Sequence, residues 1–212
     1  MARVKLLVLA MVILAGCSVA SILEPRKDTS QFFVLTAMDS STRGVPITYG
    51  AAGAKALALG LGPVKFPAYL NREEMVTRSS PNKVELSDIN RWAEPLDKDF
   101  VTVLAQNFTT LLGAQVKTFP WYRPANLDYQ IALDITRFDT DSKGSATIMG
   151  RWEIEDPDTG AVLNAGDINI NDAAQSGETN AATLSRALSD LSTQLADAIR
   201  ATRHPAPRSS SS

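Results

Sequence analysis

Residues 129–170, YQIALDITRFDTDSKGSATIMGRWEIEDPDTGAVLNAGDINI, decide the fold class. Tyr129, Ile131, Leu133 and Ile135 alternate with Gln130, Ala132 and Asp134, and Ala146, Ile148, Gly150, Trp152 and Ile154 alternate with Thr147, Met149, Arg151 and Glu153. Successive side chains of a strand point to opposite faces, so a period of two predicts strands that each bury one face. Asp156-Pro157-Asp158-Thr159-Gly160 has the composition of a turn, and Val162 to Ile170 is then the returning strand. An apolar sheet face of this length needs something to cover it.

Two segments supply the cover. Ala93 to Leu112 carries Phe100, Val103, Leu104, Phe108, Leu111 and Leu112 at helical spacing, with Pro95 in its first turn and Gly113 at its end. Asn180 to Arg200 carries a narrower stripe of Leu184, Leu188, Leu191, Leu195 and Ile199. Upstream, Phe32 to Thr36 is predicted to be a first strand. Lys55 to Leu61 is predicted to be a second, stopped by Gly62-Pro63. Glu74 to Arg78 and Lys83 to Leu86 flank Ser-Ser-Pro-Asn and predict a hairpin, Gln115 to Phe119 is a short strand, and the Gly- and Pro-rich stretch from Thr42 to Gly53 is a surface loop. The fold class is therefore α/β: a mixed β-sheet covered by two amphipathic helices, in a single domain.

The amino terminus has a different grammar. Arg3 and Lys5 precede a continuous apolar run from Leu6 to Leu14, which is far shorter than the roughly 20 residues of a membrane-spanning helix. Leu14-Ala15-Gly16-Cys17 then matches the bacterial lipobox, in which the cysteine is diacylglycerated, becomes the new amino terminus after cleavage, and receives an N-acyl lipid. Cys17 is the sole cysteine, so it has no disulfide partner within the chain, and lipidation accounts for a lone exported thiol. The expected organisation is a signal peptide at 1–16, a lipidated tether at 17–30, the domain at 31–202 and a disordered tail at 203–212. Ser18 rather than Asp after the cysteine is the pattern of lipoproteins on the periplasmic face of the outer membrane. Removing Arg3 and Lys5 takes the net charge from −2 to −4, and no Lys/Arg cluster points to nucleic acid.

Catalytic signals are sparse. The one histidine, His204, lies in the predicted tail, so no imidazole is available to activate Ser or Cys, or to complete a zinc site with Cys. Asp158-Thr159-Gly160 occurs once and sits in a turn, and Gly60-Leu61-Gly62-Pro63 leads into no helix that could receive phosphate. Asp139 and Asp141 read as a solvated loop without further oxygen ligands. Glu73 and Glu74, adjacent on a strand, should point apart. No catalytic residue, metal ligand or cofactor is expected, apart from the lipid on Cys17. Polar and aromatic density is concentrated elsewhere: Pro63, Pro67, Tyr69 and Arg72 past a strand end, Arg78 in the hairpin, Arg91 and Trp92 before the first helix, and Trp121 in Phe119-Pro120-Trp121-Tyr122-Arg123-Pro124. These eight are the candidate partner-binding residues.

Taken together, Gly62-Pro63-Val64, Pro67-x-Tyr69-Leu70-Asn71-Arg72, Val76-x-Arg78 and Arg91-Trp92-Ala93-Glu94-Pro95-Leu96 resemble the ABC-type transport auxiliary lipoprotein family, the PqiC (YmbA-like) group. Phe32-Phe33-Val34-Leu35, Phe119-Pro120-Trp121 and Tyr129 to Phe138 fit the same pattern, so the likeness runs from about Phe32 to Ile199. The Gly- and Pro-rich loop at Thr42 to Gly53 departs from it. The resemblance implies a non-enzymatic, outer-membrane docking subunit of an intermembrane lipid transport system. Its implied partners are an MCE-domain periplasmic protein and an inner-membrane transporter component. Ring-like self-association would suit the end of such a bridge. Two other classes compete with this reading: a periplasmic lipid-binding carrier, and a hydrolase using Glu73, Glu74, Asp139 and Asp141.

Overall fold

The computed structural model describes residues 28–39, 56–121 and 126–203. Cys17, the loop at 42–53 and His204 lie outside them. In chain order the described elements are β1 (Gln31–Phe33), β2 (Ala58–Lys65), β3 (Glu74–Ser80), β4 (Lys83–Trp92), α1 (Leu96–Leu112), β5 (Gln115–Thr118), β6 (Tyr129–Asp141), β7 (Ala146–Glu155), β8 (Val162–Asp172) and α2 (Asn180–Arg203). A short 3-10 turn, Ala68–Leu70, separates β2 from β3.

The meander forms as its period dictates. β7 runs antiparallel along β6 from Gln130↔Glu155 to Thr140↔Ala146, and β8 runs antiparallel along β7. The other edge of β6 is shared: β2 lies parallel to its first half, Leu59↔Tyr129 to Lys65↔Asp134, and β3 lies parallel to its end, Thr77↔Thr140 and Arg78↔Asp141. β4 and β1 extend the sheet beyond β3, and β5 flanks β2. The eight strands make one open mixed sheet in which β6, the longest, is the spine.

The predicted faces meet in the core. Ile131, Leu133, Ile135, Ile148 and Ile154 are buried beneath Phe100, Val103, Leu104, Phe108 and Leu112 of α1 and the whole stripe from Leu184 to Ile199 of α2. Phe66, Phe100 and Phe138 meet edge to face, with centroids 5.0, 6.2 and 5.5 Å apart. That arrangement suits the ring quadrupole and adds to the area the three rings bury.

Several boundaries differ from expectation, and β4 runs on to Trp92, six residues past the predicted end at Leu86. β2 is not stopped by Gly62-Pro63. It passes through them as an irregularity between Leu61 and Val64. Pairing with β5 has already ended at Leu61↔Thr118, so the N–H that Pro63 lacks is needed on neither side. Gly62 makes this passage at φ +121°, where an added Cβ would sit 2.6 Å from the Phe119 Cβ. Gly62→Ala is therefore expected to destabilise the domain by about 2 kcal/mol or more, read as a lower urea midpoint at unchanged slope.

α1 begins at Leu96, three residues later than its apolar spacing predicts. Ala93 N–H still donates to Phe33 O, and Pro95 is the N-cap residue rather than part of the first turn, its carbonyl accepting from Lys98 and Asp99 N–H.

The first strand is also shorter than expected and ends at Phe33. Beyond it the chain is held by side chains of the two helices instead of a ladder. Leu35 N–H donates to Asp99 Oδ2 at 2.6 Å, Thr36 N–H to Ser185 Oγ at 3.0 Å, and Met38 N–H to Asn107 Oδ1 at 2.9 Å. Asn107 in turn donates to Ser192 Oγ at 2.8 Å. Buried amides require partners, and polar residues set into apolar helix faces supply them here.

Burial raises the Asp99 carboxyl above its ordinary range, with the Glu94 charge adding and the Leu35 hydrogen bond opposing. A carboxyl raised on folding contributes stability at low pH, and loses that contribution as pH rises through its folded value. Asp99→Asn keeps an acceptor for Leu35 and removes the charge. It should flatten the fall in stability that begins above about pH 4, the ordinary aspartate value, measured by urea unfolding as pH is raised towards neutral. Asp99→Ala should destabilise at both ends, by about 1–3 kcal/mol for the orphaned amide.

Candidate functional site

The densest polar cluster surrounds Asp139. Its side chain is fully buried in β6, which corrects the expectation of a solvated loop. Arg78 of β3 donates to Asp139 Oδ2 from Nε at 3.0 Å and Nη2 at 2.7 Å, and Arg137 Nε donates to Oδ1 at 2.7 Å. The Tyr69 hydroxyl, from the 3-10 turn, donates to Oδ2 at 3.2 Å and accepts from Arg78 Nη2 at 3.4 Å. Arg78 Nη1 reaches Pro81 O, and Arg72 Nε donates to Tyr69 O at 2.8 Å. Burial, and next the Asp139 charge, push the Tyr69 phenol above its ordinary range.

The cluster exists because β3 lies parallel to the end of β6. That places Arg78 opposite Asp141 and brings the turn between β2 and β3 over the same spot. A register shift between Ile135 and Arg137 ends the simple alternation of β6, and Phe138, Asp139 and Thr140 are then all buried. Sequence reasoning singled out Tyr69, Arg72 and Arg78 but missed Arg137 and the place of Asp139. One signal was available: arginine and aspartate two residues apart on a strand share a face. Chemically the arrangement is closed: one buried carboxylate is held by two guanidinium groups and a phenol, with one positive charge in excess.

The remaining candidates fall into other contact sets. Arg91 Nη1 is 3.6 Å from Glu73 and 4.0 Å from Glu74, so these carboxylates share a cation. Trp92 is buried in the core. Trp121 meets Phe119 edge to face at 5.4 Å, and lies over Gly60 so closely that a Cβ there would be 3.0 Å from its ring.

Pro67 lines a cavity of about 320 Å³ with Val64, Phe66, Leu70, Leu96 and Asp97. Pro63 lines a shallower one of about 450 Å³ with Lys65, Gln130, Asp134, Arg151 and Glu153. Among the described residues no group of three or more His, Cys, Asp or Glu is placed to hold a metal ion. No helix among them is long and apolar enough to cross a membrane.

The sequence model of the family described as "ABC-type transport auxiliary lipoprotein component" matches residues 43–199. No curated protein matches the chain in a sequence search. A crystal structure of an uncharacterized protein superposes with a TM-score of 0.63 at 20% identity, covering 81% of this chain and 99% of that one. Protein XCC0632 from Xanthomonas campestris gives 0.63 at 17% identity, covering 82% and 96%. The PelC dodecamer from Paraburkholderia phytofirmans matches more distantly, at 0.37 and 16% identity over 67% of this chain and 93% of that one. The first two show that the fold is shared.

Proposed function

The chain belongs to the ABC-type transport auxiliary lipoprotein family, and from that premise we propose that it is the outer-membrane docking subunit of an MCE-type intermembrane lipid transport system. Lipid on Cys17 holds it at the periplasmic face of the outer membrane. Its domain meets an MCE-domain protein that bridges towards an inner-membrane transporter component. The role is non-enzymatic.

The observation that carries this reading is the family match across residues 43–199, which takes in the whole block from Gly62 to Leu96. The geometry agrees with it. The side chains of the densest cluster are tied to one another around Asp139, which makes a rigid frame for a surface and leaves it one positive charge in excess. Pro67, Tyr69, Arg72 and Arg78 are presented from the elements that frame supports, while Pro63 lies within the irregular passage of β2 and Trp121 packs over Gly60 just before it.

The test is capture of an MCE-domain protein from the same organism by the mature domain, both verified as folded by circular dichroism. Specific association is expected. Arg72 bonds to the Tyr69 carbonyl alone among the described residues, so Arg72→Glu should weaken the association without loss of thermal stability. Two folded proteins that do not associate would overturn the reading.

A further inference from the structure

Phe32, Val34 and Ile89 are exposed at 62%, 49% and 45%. In the parallel pairing of β1 with β4, Phe33 lies beside Trp92 and Phe32 beside Arg91. Paired residues share a face. Trp92 is buried and Phe33 packs against the core, so Phe32 and Arg91 face outward. Val34 lies two residues beyond Phe32, and Ile89 two residues before Arg91, inside the irregular stretch of β4 between Leu86 and Arg91. β1 covers β4 only from Asn90 to Trp92, and Val84 and Leu86 are exposed further along the same strand, across that register shift. Scattered exposed apolar residues need no explanation, but these three all fall within two residues of the paired Phe32 and Arg91 at the sheet's edge.

Their place in the chain indicates what covers them. Gln31 lies fourteen residues after Cys17. Fourteen residues reach at most about 50 Å even when fully extended, which keeps a membrane holding the cysteine's lipid at high effective concentration for this edge. The flanking charges are Arg91 against Glu73 and Glu74, with Asp88 exposed next to Ile89. They leave an acidic excess, which suits a zwitterionic surface rather than an anionic one.

We propose that the β1–β4 edge seats on the phospholipid bilayer, with Phe32, Val34 and Ile89 entering the boundary between headgroups and acyl chains. An aromatic and two aliphatic side chains suit that depth. This rests on the lipoprotein reading above and adds an orientation to it: β1 and β4 against the membrane, β8 at the opposite end of the sheet.

The lipidated chain itself provides the test, because its sole native cysteine is blocked by lipid and an introduced one is the only free thiol. Phe32→Cys and Ile89→Cys, with Val162→Cys on β8 as control, are labelled with nitrobenzoxadiazole and reconstituted into phosphatidylcholine vesicles. The probes at 32 and 89 are expected to shift to the blue and to be quenched by brominated phosphatidylcholine several times more strongly than the probe at 162. Protein that floats with the vesicles while all three probes report water overturns the seating alone. Protein that does not float overturns the lipoprotein reading beneath it. A blue shift at 32 that needs no vesicles and grows with protein concentration places a second copy of the chain on the edge, and also overturns the proposal.

Discussion

Asp139→Ala is expected to cost the domain about 3 kcal/mol, the low end of the range for breaking a buried ion pair. Asp139 is fully buried and accepts from Arg78, Arg137 and Tyr69, so its removal leaves two guanidinium groups facing each other with no anion between them. The low end applies because Arg78 and Arg137 keep 19% and 27% of their side-chain surface in water, where some of the uncompensated charge is screened. For a domain of this size the loss corresponds to a fall in Tm of about 6–12 °C, measurable by thermal circular dichroism. Replacing the group together, as Arg78→Met, Arg137→Met and Asp139→Leu, should recover most of it. The desolvation cost of the charges then disappears with their attraction. A single-mutant loss below about 1 kcal/mol would mean the cluster behaves as an ordinary surface pair.

The cluster also shows where sequence reasoning ran out. Alternation from Tyr129 to Ile135 and the stripes of α1 and α2 are local signals, because each comes from a period within one element. The sheet and its two covering helices were legible for that reason. The site depends instead on which strands lie side by side. Arg78 and Asp139 are 61 residues apart, and nothing near either one announces that β3 runs parallel to the end of β6. Asp139 was misplaced because Asp-Thr-Asp-Ser-Lys-Gly has the composition of a loop. The chain instead stays in strand to Asp141 and turns only there, with Asp141 Oδ1 accepting from Lys143 and Ser145 N–H.

The same division explains the two ends of the first helix. Gly113 closes it where predicted, in the left-handed conformation at φ 59°, because a C-cap is a local matter. The start moves to Leu96 because Ala93 is bound to β1, a partner some sixty residues earlier in the chain. The short β1 has a similar cause. Phe32 to Thr36 has strand composition throughout, but Asp99, Asn107 and Ser185 claim the amides that a neighbouring strand would have taken.

Cys17→Ser is expected to abolish retention in the membrane fraction while leaving the domain's melting temperature unchanged. Gln31, the first residue of the sheet, is fourteen residues further on. The loss should be complete rather than graded. One acyl chain already gives only reversible membrane binding, with an association constant of about 10⁴ M⁻¹, and stable anchoring takes at least two; the serine form would carry none. Fractionation and Tm measure these two halves separately. A serine form that stayed with the membrane would show that the β1–β4 edge or a partner suffices as the anchor. A serine form that left the membrane yet preserved the envelope barrier would show that the tether is dispensable for function. Ser18→Asp supplies the complementary arm of the proposal, since it keeps Cys17 and changes only the residue expected to favour the outer membrane. If the domain must stand at the far end of a lipid bridge, a fully lipidated but misplaced protein should fail as completely as a soluble one.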